Sequence, residues 1–193
     1  MRKFTLKSYL NAQSGVAAIE FAFILPVMLL LYFGMMDLTT LVVNNRKVTT
    51  VASAVADLTA QSRTTVLESQ VEDYMRVANL ILNPMPDDGV TVRVYGYRVS
   101  GGTPSQIWET SNGSGPGCSA APDASGYGNL MAAGNDLIVA QACMTYEPYV
   151  ATFLGDNILG ATFFNVEQSV VVRPRSTLVL TCKDSGGAVC TGS

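Results

Sequence analysis

Gly15-Val16-Ala17-Ala18-Ile19-Glu20-Phe21-Ala22-Phe23-Ile24-Leu25-Pro26-Val27-Met28-Leu29-Leu30-Leu31-Tyr32-Phe33-Gly34-Met35-Met36 is the stretch that decides how this chain is built. Residues 16–36 hold a single charge, Glu20, and residues 21–36 hold none. At 1.5 Å per residue these 21 residues make about 32 Å of helix, enough to cross a hydrocarbon core of about 30 Å. The run is apolar on every side, whereas a helix laid on a soluble core keeps a polar face. We therefore read residues 16–36 as a transmembrane helix.

The flanks set its direction. Arg2, Lys3 and Lys7 precede the span with no acid among the first fifteen residues, and Asp37 follows it directly. Positive charge stays on the cytoplasmic side, so the N-terminus is expected in the cytoplasm and the remainder of the chain outside. Arg46 and Lys47 lie on the far side, but as an isolated pair. A removable secretory signal would need small residues at a cleavage site just after the apolar run. Phe33-Gly34-Met35-Met36-Asp37-Leu38 is a poor one, and no cysteine follows the run to carry a lipid.

Composition narrows the function. Of 193 residues, 48% are hydrophobic and 14% charged, and the net charge is −3. A typical domain is about 25% charged. Without a basic stripe, nucleic acid is not an expected partner. Histidine is absent, which removes every imidazole-based catalytic scheme and every His-ligated metal site.

Glu20 is the informative residue, because an acid within a membrane helix is costly and marks function by default. Its plain alternative is a carboxylate reaching back to the cytoplasmic headgroups. Gly15 ends the basic leader, and Gly15-Val16-Ala17-Ala18-Ile19-Glu20-Phe21 resembles the cleavage motif of type IV prepilins. Ser14-Gly15-Val16-Ala17-Ala18-Ile19-Glu20-Phe21-Ala22, then Leu25-Pro26 and an apolar run to Gly34, resembles the TadE-like family more narrowly, over about residues 12–45. These are minor pseudopilins of the Tad (tight adherence, Flp) type IV pilus. Tyr146-Glu147-Pro148 and Val172-Arg173 sit about where family members carry similar residues.

The resemblance implies a history for the chain. A prepilin peptidase would cut between Gly15 and Val16 on the cytoplasmic side, removing a leader of residues 1–15. That would leave 178 residues with 9 basic and 15 acidic side chains, a net charge of −6. It further implies that Glu20, fifth in the mature chain and followed by Phe21, neutralises the new Val16 amine among apolar helices. A buried charge is tolerated only when paired. The implied partners are the peptidase, other pseudopilins, the major Flp pilin, the inner-membrane Tad assembly platform and the membrane itself. The implied location is the bacterial inner membrane with a periplasmic C-terminal domain, or the extracellular pilus. Pro26 removes one helical hydrogen bond and reads either as an ordinary kink or as a hinge used when the helix leaves the bilayer.

Beyond the span, Leu38, Leu41, Val42, Val48, Val51, Ala52, Val55 and Leu58 recur mostly at spacings of three or four, with no Gly or Pro between Met35 and Gln61. The pattern predicts one helix over residues 16–60, apolar all round in its first half and one-sided in its second. Residues 37–61 are thus a periplasmic continuation of the spine. Val48, Val51, Val55 and Leu58 are expected in the core. Residues 62–193 form the periplasmic domain. Thr65 and Glu68 suggest a capping box, with Leu67, Val71, Tyr74, Ala78 and Ile81 at helical spacing up to Pro84, so a second helix is expected over 65–82.

After Gly89 the period becomes two. Val90, Val92, Val94 and Tyr97 alternate with Thr91, Arg93, Tyr95 and Arg98, and strands are also expected at 106–110, 136–146, 169–172 and 177–180. Residues 111–126 read as a long loop, 148–159 as an ambiguous segment with a short helix possible, and Arg173-Pro174-Arg175 as an edge, bulge or bend. The fold class is α+β: a long membrane-spanning helix packed on a second helix and an antiparallel sheet.

Cys118, Cys143, Cys182 and Cys190 all follow the span. An even count in an oxidising compartment favours disulfides. Of three connectivities we favour Cys182–Cys190, closing a short tail loop, with Cys118–Cys143 pinning the long loop to a strand. A four-cysteine zinc site would want Cys-x-x-Cys pairs, which are missing. Gly101-Gly102 and Gly186-Gly187 read as turns, Asn112-Gly113-Ser114 as loop composition, and Asp87-Asp88 as a turn whose acids need not converge. Tyr95, Tyr97, Trp108, Tyr127, Tyr146 and Tyr149 fit packing better than a binding face. No catalytic residue, metal or cofactor is expected. The two readings are a non-enzymatic minor pseudopilin that assembles or primes the pilus, with adhesion as a further role, and an uncleaved, single-span anchored binding module.

Overall fold

The computed structural model describes residues 14–82, 90–100, 103–112, 117–123, 125–127, 135–154, 164–175 and 180–191. The basic residues of the leader, Pro84, Asp87-Asp88, Gly101-Gly102, residues 113–114 and residues 177–179 lie outside them. The elements in chain order are helix α1 (Ser14–Ala60), strand β1 (Thr65–Leu67), helix α2 (Glu68–Leu82), strands β2 (Val90–Ser100), β3 (Thr103–Asn112) and β4 (Asp136–Tyr146), helix α3 (Tyr149–Leu154), and strands β5 (Phe164–Val172) and β6 (Thr181–Lys183). This is an α+β architecture with a long apolar N-terminal helix. Two compact units make up the chain: Met1–Thr40 with Pro148–Thr162, and Leu41–Glu147 with Phe163–Ser193.

In the second unit a four-stranded antiparallel sheet has the order β3-β2-β4-β5. The period of two divides its side chains between two faces. Val92, Val94, Ile138, Ala140, Ala142, Met144 and Val166 share a core with Val48, Val51, Ala52, Val55, Ala56 and Ala60 of α1 and with Val71 and Met75 of α2. The helical stripe thus runs Val48, Val51/Ala52, Val55/Ala56, Thr59/Ala60, close to the 3.6-residue period. Leu58 is only half-buried, because it lies about 100° off that line; Thr59 is buried instead, its hydroxyl donating to the Val55 carbonyl at 2.8 Å. Leu38 and Val42 are exposed as well, so the buried stripe starts with Leu41 and Asn44.

The start of α2 differs from the expected capping box. Thr65 belongs to β1, which pairs parallel with β6 through Thr65–Thr181, Val66–Cys182 and Leu67–Lys183. This pairing turns Val66 inward and leaves Leu67 exposed. The helix begins at Glu68, and the Gln70 carboxamide oxygen accepts from the Leu67 backbone N–H at 3.2 Å. That is the returning half of a capping box, shifted by two residues. A three-residue strand has no period to read, and its partner lies 116 residues away.

On the other face of the sheet Tyr95, Tyr97, Leu137 and Val139 form a second cluster, with Tyr127 and Val171 against it. Gly96 lies within β2 where the register with β3 shifts, and Trp108 of β3 lies over it: a Cβ there would collide with the indole nitrogen. The indole N–H donates to the Leu180 carbonyl at 2.9 Å, which ties the C-terminal segment to the sheet. Asp136 acts on the same segment. It is almost fully buried, takes two hydrogen bonds from Arg98 at 2.7 and 2.9 Å, and accepts the Leu180 N–H at 2.6 Å. After β5, Arg175 pairs with Asp57 and its N–H reaches the Ala60 carbonyl at 3.0 Å, returning the chain to the end of α1.

Candidate functional site

The candidate site is the first turns of α1. The helix starts at Ser14, so the Gly15–Val16 bond lies in its first turn. Gly15 has open space around its Cα, since a Cβ added there would meet nothing within 4 Å. The fold itself therefore does not require glycine at this position. Val16 and Glu20 are four residues apart, hence on one side of the helix and about 6 Å apart along its axis. Helical side chains lean toward the N-terminus, which aims Glu20 back at Val16. Val16, Glu20 and Phe21 are all exposed. Helix α1 runs unbroken through Pro26. The most apolar window of α1 has no buried residue, and Phe23, Met28 and Leu31 are all exposed.

Residues 15–57 match the family model described as TadE-like protein. The likeness to that family lies in this segment. The match opens on Gly15 and ends in the half of α1 that packs on the sheet. It supports involvement of the chain in a Tad pilus, and the apolar helix fits membrane anchoring. Neither a curated protein nor a solved structure matches the chain.

Downstream of the TadE-like segment the cysteines form Cys118–Cys143 and Cys182–Cys190 bridges. The first holds residues 117–123 against the sheet beside a run of polar contacts. Tyr95 donates to the Gln141 side chain at 3.1 Å, Gln141 donates to Glu167, and Glu167 also accepts from the Ser119 hydroxyl and, at 3.2 Å, the Ser119 N–H. Burial pushes the Glu167 carboxyl up, but the donors from Ser119 and Gln141 outweigh it and hold it below the usual carboxylate range. Tyr97 donates to the Pro122 carbonyl at 2.9 Å, and burial pushes its phenol up to about 12. These groups fasten a loop to the sheet.

Of the six large aromatic residues after the span considered for a binding face, Tyr95, Tyr97, Trp108 and Tyr146 are buried and Tyr127 is half-buried. Tyr149 is 53% exposed and stands apart. Among the described residues no group of three or more His, Cys, Asp or Glu side chains is placed to hold a metal ion. Sequence reasoning missed the role of Asp37, which we read only as the charge that closes the span. Its carboxylate accepts the Tyr149 and Val150 backbone N–H groups. No local signal could have shown this, because the contact joins residues 112 apart.

Proposed function

We propose that the chain is a minor pseudopilin of a Tad pilus, with a non-enzymatic role in assembling or priming the fibre. The observation that carries this reading is Glu20, one helical turn beyond Val16 on the half of α1 whose apolar side chains are exposed. Removal of residues 1–15 by a prepilin peptidase places a positive amine on Val16. The Glu20 carboxylate of the same or a neighbouring subunit neutralises it when helices pack together, since a lone charge in that setting is too costly to persist. The exposed sides of α1 then supply the contact surface, first with lipid and afterwards with other pseudopilins and the major pilin. The domain of residues 62–193 lies in the periplasm and faces the partners of the assembly platform.

The test is the intact mass and N-terminal sequence of the protein from envelope fractions, with and without the prepilin peptidase. The expected result is a peptidase-dependent start at Val16. A start at Met1 in both strains would replace this reading with that of an anchored binding module. In processed protein, Glu20→Ala is expected to leave membrane insertion intact and to abolish or reduce piliation. Normal pili in that strain would remove the charge pair from the mechanism.

A further inference from the structure

Asp37 is the first charged residue after the uncharged run of residues 21–36. Its carboxylate takes the Tyr149 N–H on Oδ1 at 2.7 Å and the Val150 N–H on Oδ2 at 3.0 Å. Pro148 has no N–H, so these are the first two free donors of α3, and a helix start leaves such donors without an internal partner. A carboxylate there meets both the donors and the positive end of the helix dipole. The consequence is positional. The backbone at residues 149–150 lies within one hydrogen bond of the side chain that ends the apolar span. Residues 148–154 belong to the same compact unit as the N-terminal part of α1.

The composition of this stretch agrees with that position. Residues 148–154 contain no charge and include Tyr149, Val150, Ala151, Phe153 and Leu154. Tyr149 is more than half exposed at the first position of α3. Tyrosine is enriched where a membrane meets water, because its ring is apolar and its hydroxyl is not.

We propose that α3 rests on the outer surface of the bilayer, held at headgroup depth by Asp37, with lipid as the partner of its exposed side. The proposal rests on residues 16–36 crossing the membrane, which places Asp37 at the outer boundary. Asp37 acts as a positioning residue, and Tyr149 as the contact with lipid. The anchor then has two parts, a spanning helix and a surface clasp, which limits how far the chain can tilt or slide along the membrane normal.

The experiment uses the full chain in vesicles of phosphatidylethanolamine and phosphatidylglycerol, with part of the lipid brominated at shallow acyl positions. The parent protein has one tryptophan, Trp108, which is only 3% exposed and reports the background. Tyr149→Trp and Tyr32→Trp each add a second. Both added tryptophans are expected to lose emission to brominated lipid while the parent does not. Adding Asp37→Ala should abolish the loss at position 149 and leave the loss at position 32 unchanged. Quenching at 32 without quenching at 149 would overturn the clasp and leave the span standing. Emission at 149 shifted to the blue but not quenched would mean that protein covers the site, and would overturn lipid as the partner. Quenching at neither position would remove the span and the proposal with it. Quenching at 149 that survives Asp37→Ala would overturn the positioning role.

Discussion

Helix α1 is one continuous element of 47 residues, yet its two halves meet different surroundings. In the first half, Val16, Phe21, Phe23, Val27, Leu31 and Met35 are all exposed. In the second, Val48, Val51, Val55 and Ala56 have no exposure at all, while Arg46, Thr49 and Thr50 face away from the core. Both halves are α-helical, although Pro26 in the first lacks a backbone N–H to donate. What differs is where the apolar side chains lie: exposed in the first half, which fits membrane anchoring, and packed on the β-sheet and α2 in the second. Uniform apolarity is the signature of the first case and a stripe that of the second.

The glycines draw the same contrast. Gly15 and Gly34 have nothing within 4 Å of an added Cβ, whereas Gly96 is overlaid by Trp108. Covalent links differ as well, since all four cysteines lie in the second unit.

Each contrast can be broken. The largest effect is expected from Cys118→Ala with Cys143→Ala, which frees a loop closed across 25 residues. Denaturant unfolding followed by Trp108 emission should show a loss of about 3 kcal/mol. The bridge of the second unit would be ornamental if the midpoint stayed in place. Gly96→Ala comes next. The new methyl must displace the indole from Leu180, at a cost of about 2–3 kcal/mol in the same unfolding assay. Gly15→Ala in parallel should leave the curve unmoved, and a matching loss there would erase the distinction between the two glycines.

Val55→Ala removes two buried methyl groups and should cost about 2 kcal/mol. Val27→Ala, in the exposed half, should leave Trp108-detected unfolding unchanged. Equal effects would mean that the halves of α1 share one core. The smallest effect is alkaline. Tyr97 holds its proton up to about 12 when folded. An unfolded tyrosine loses it near 10, so above that pH the unfolded state binds fewer protons and stability falls. The contribution is complete below about pH 10 and fades toward 12. Tyr97→Phe should flatten that part of a stability–pH curve, and an unchanged slope would assign it to other groups.

Much of this was readable from local pattern. The spine helix, the one-sided second half, the strand of residues 136–146 and the change of period after Gly89 all follow from spacing alone. Leu58 and Leu67 were misplaced for different reasons. Leu58 lies one step off a stripe shared with Thr59, whose polarity hid its burial. Leu67 sits in a strand too short to show a period. The candidate processing segment was visible because its signal is contiguous: glycine, a short apolar run and one acid. The clasp was not, because Asp37 carries no mark of the backbone it caps.

The sequence by itself determined the two longer helices, the strands around 90–98 and 136–146, the apolar span and the short disulfide-competent tail, since periodicity, length and charge act within a few residues. Only the tertiary structure decided the order β3-β2-β4-β5, the parallel pair β1-β6, and the contacts Gly96–Trp108, Asp136–Leu180 and Asp37–Tyr149. Each joins groups remote along the chain, and each depends on geometry that exists only once the elements have packed.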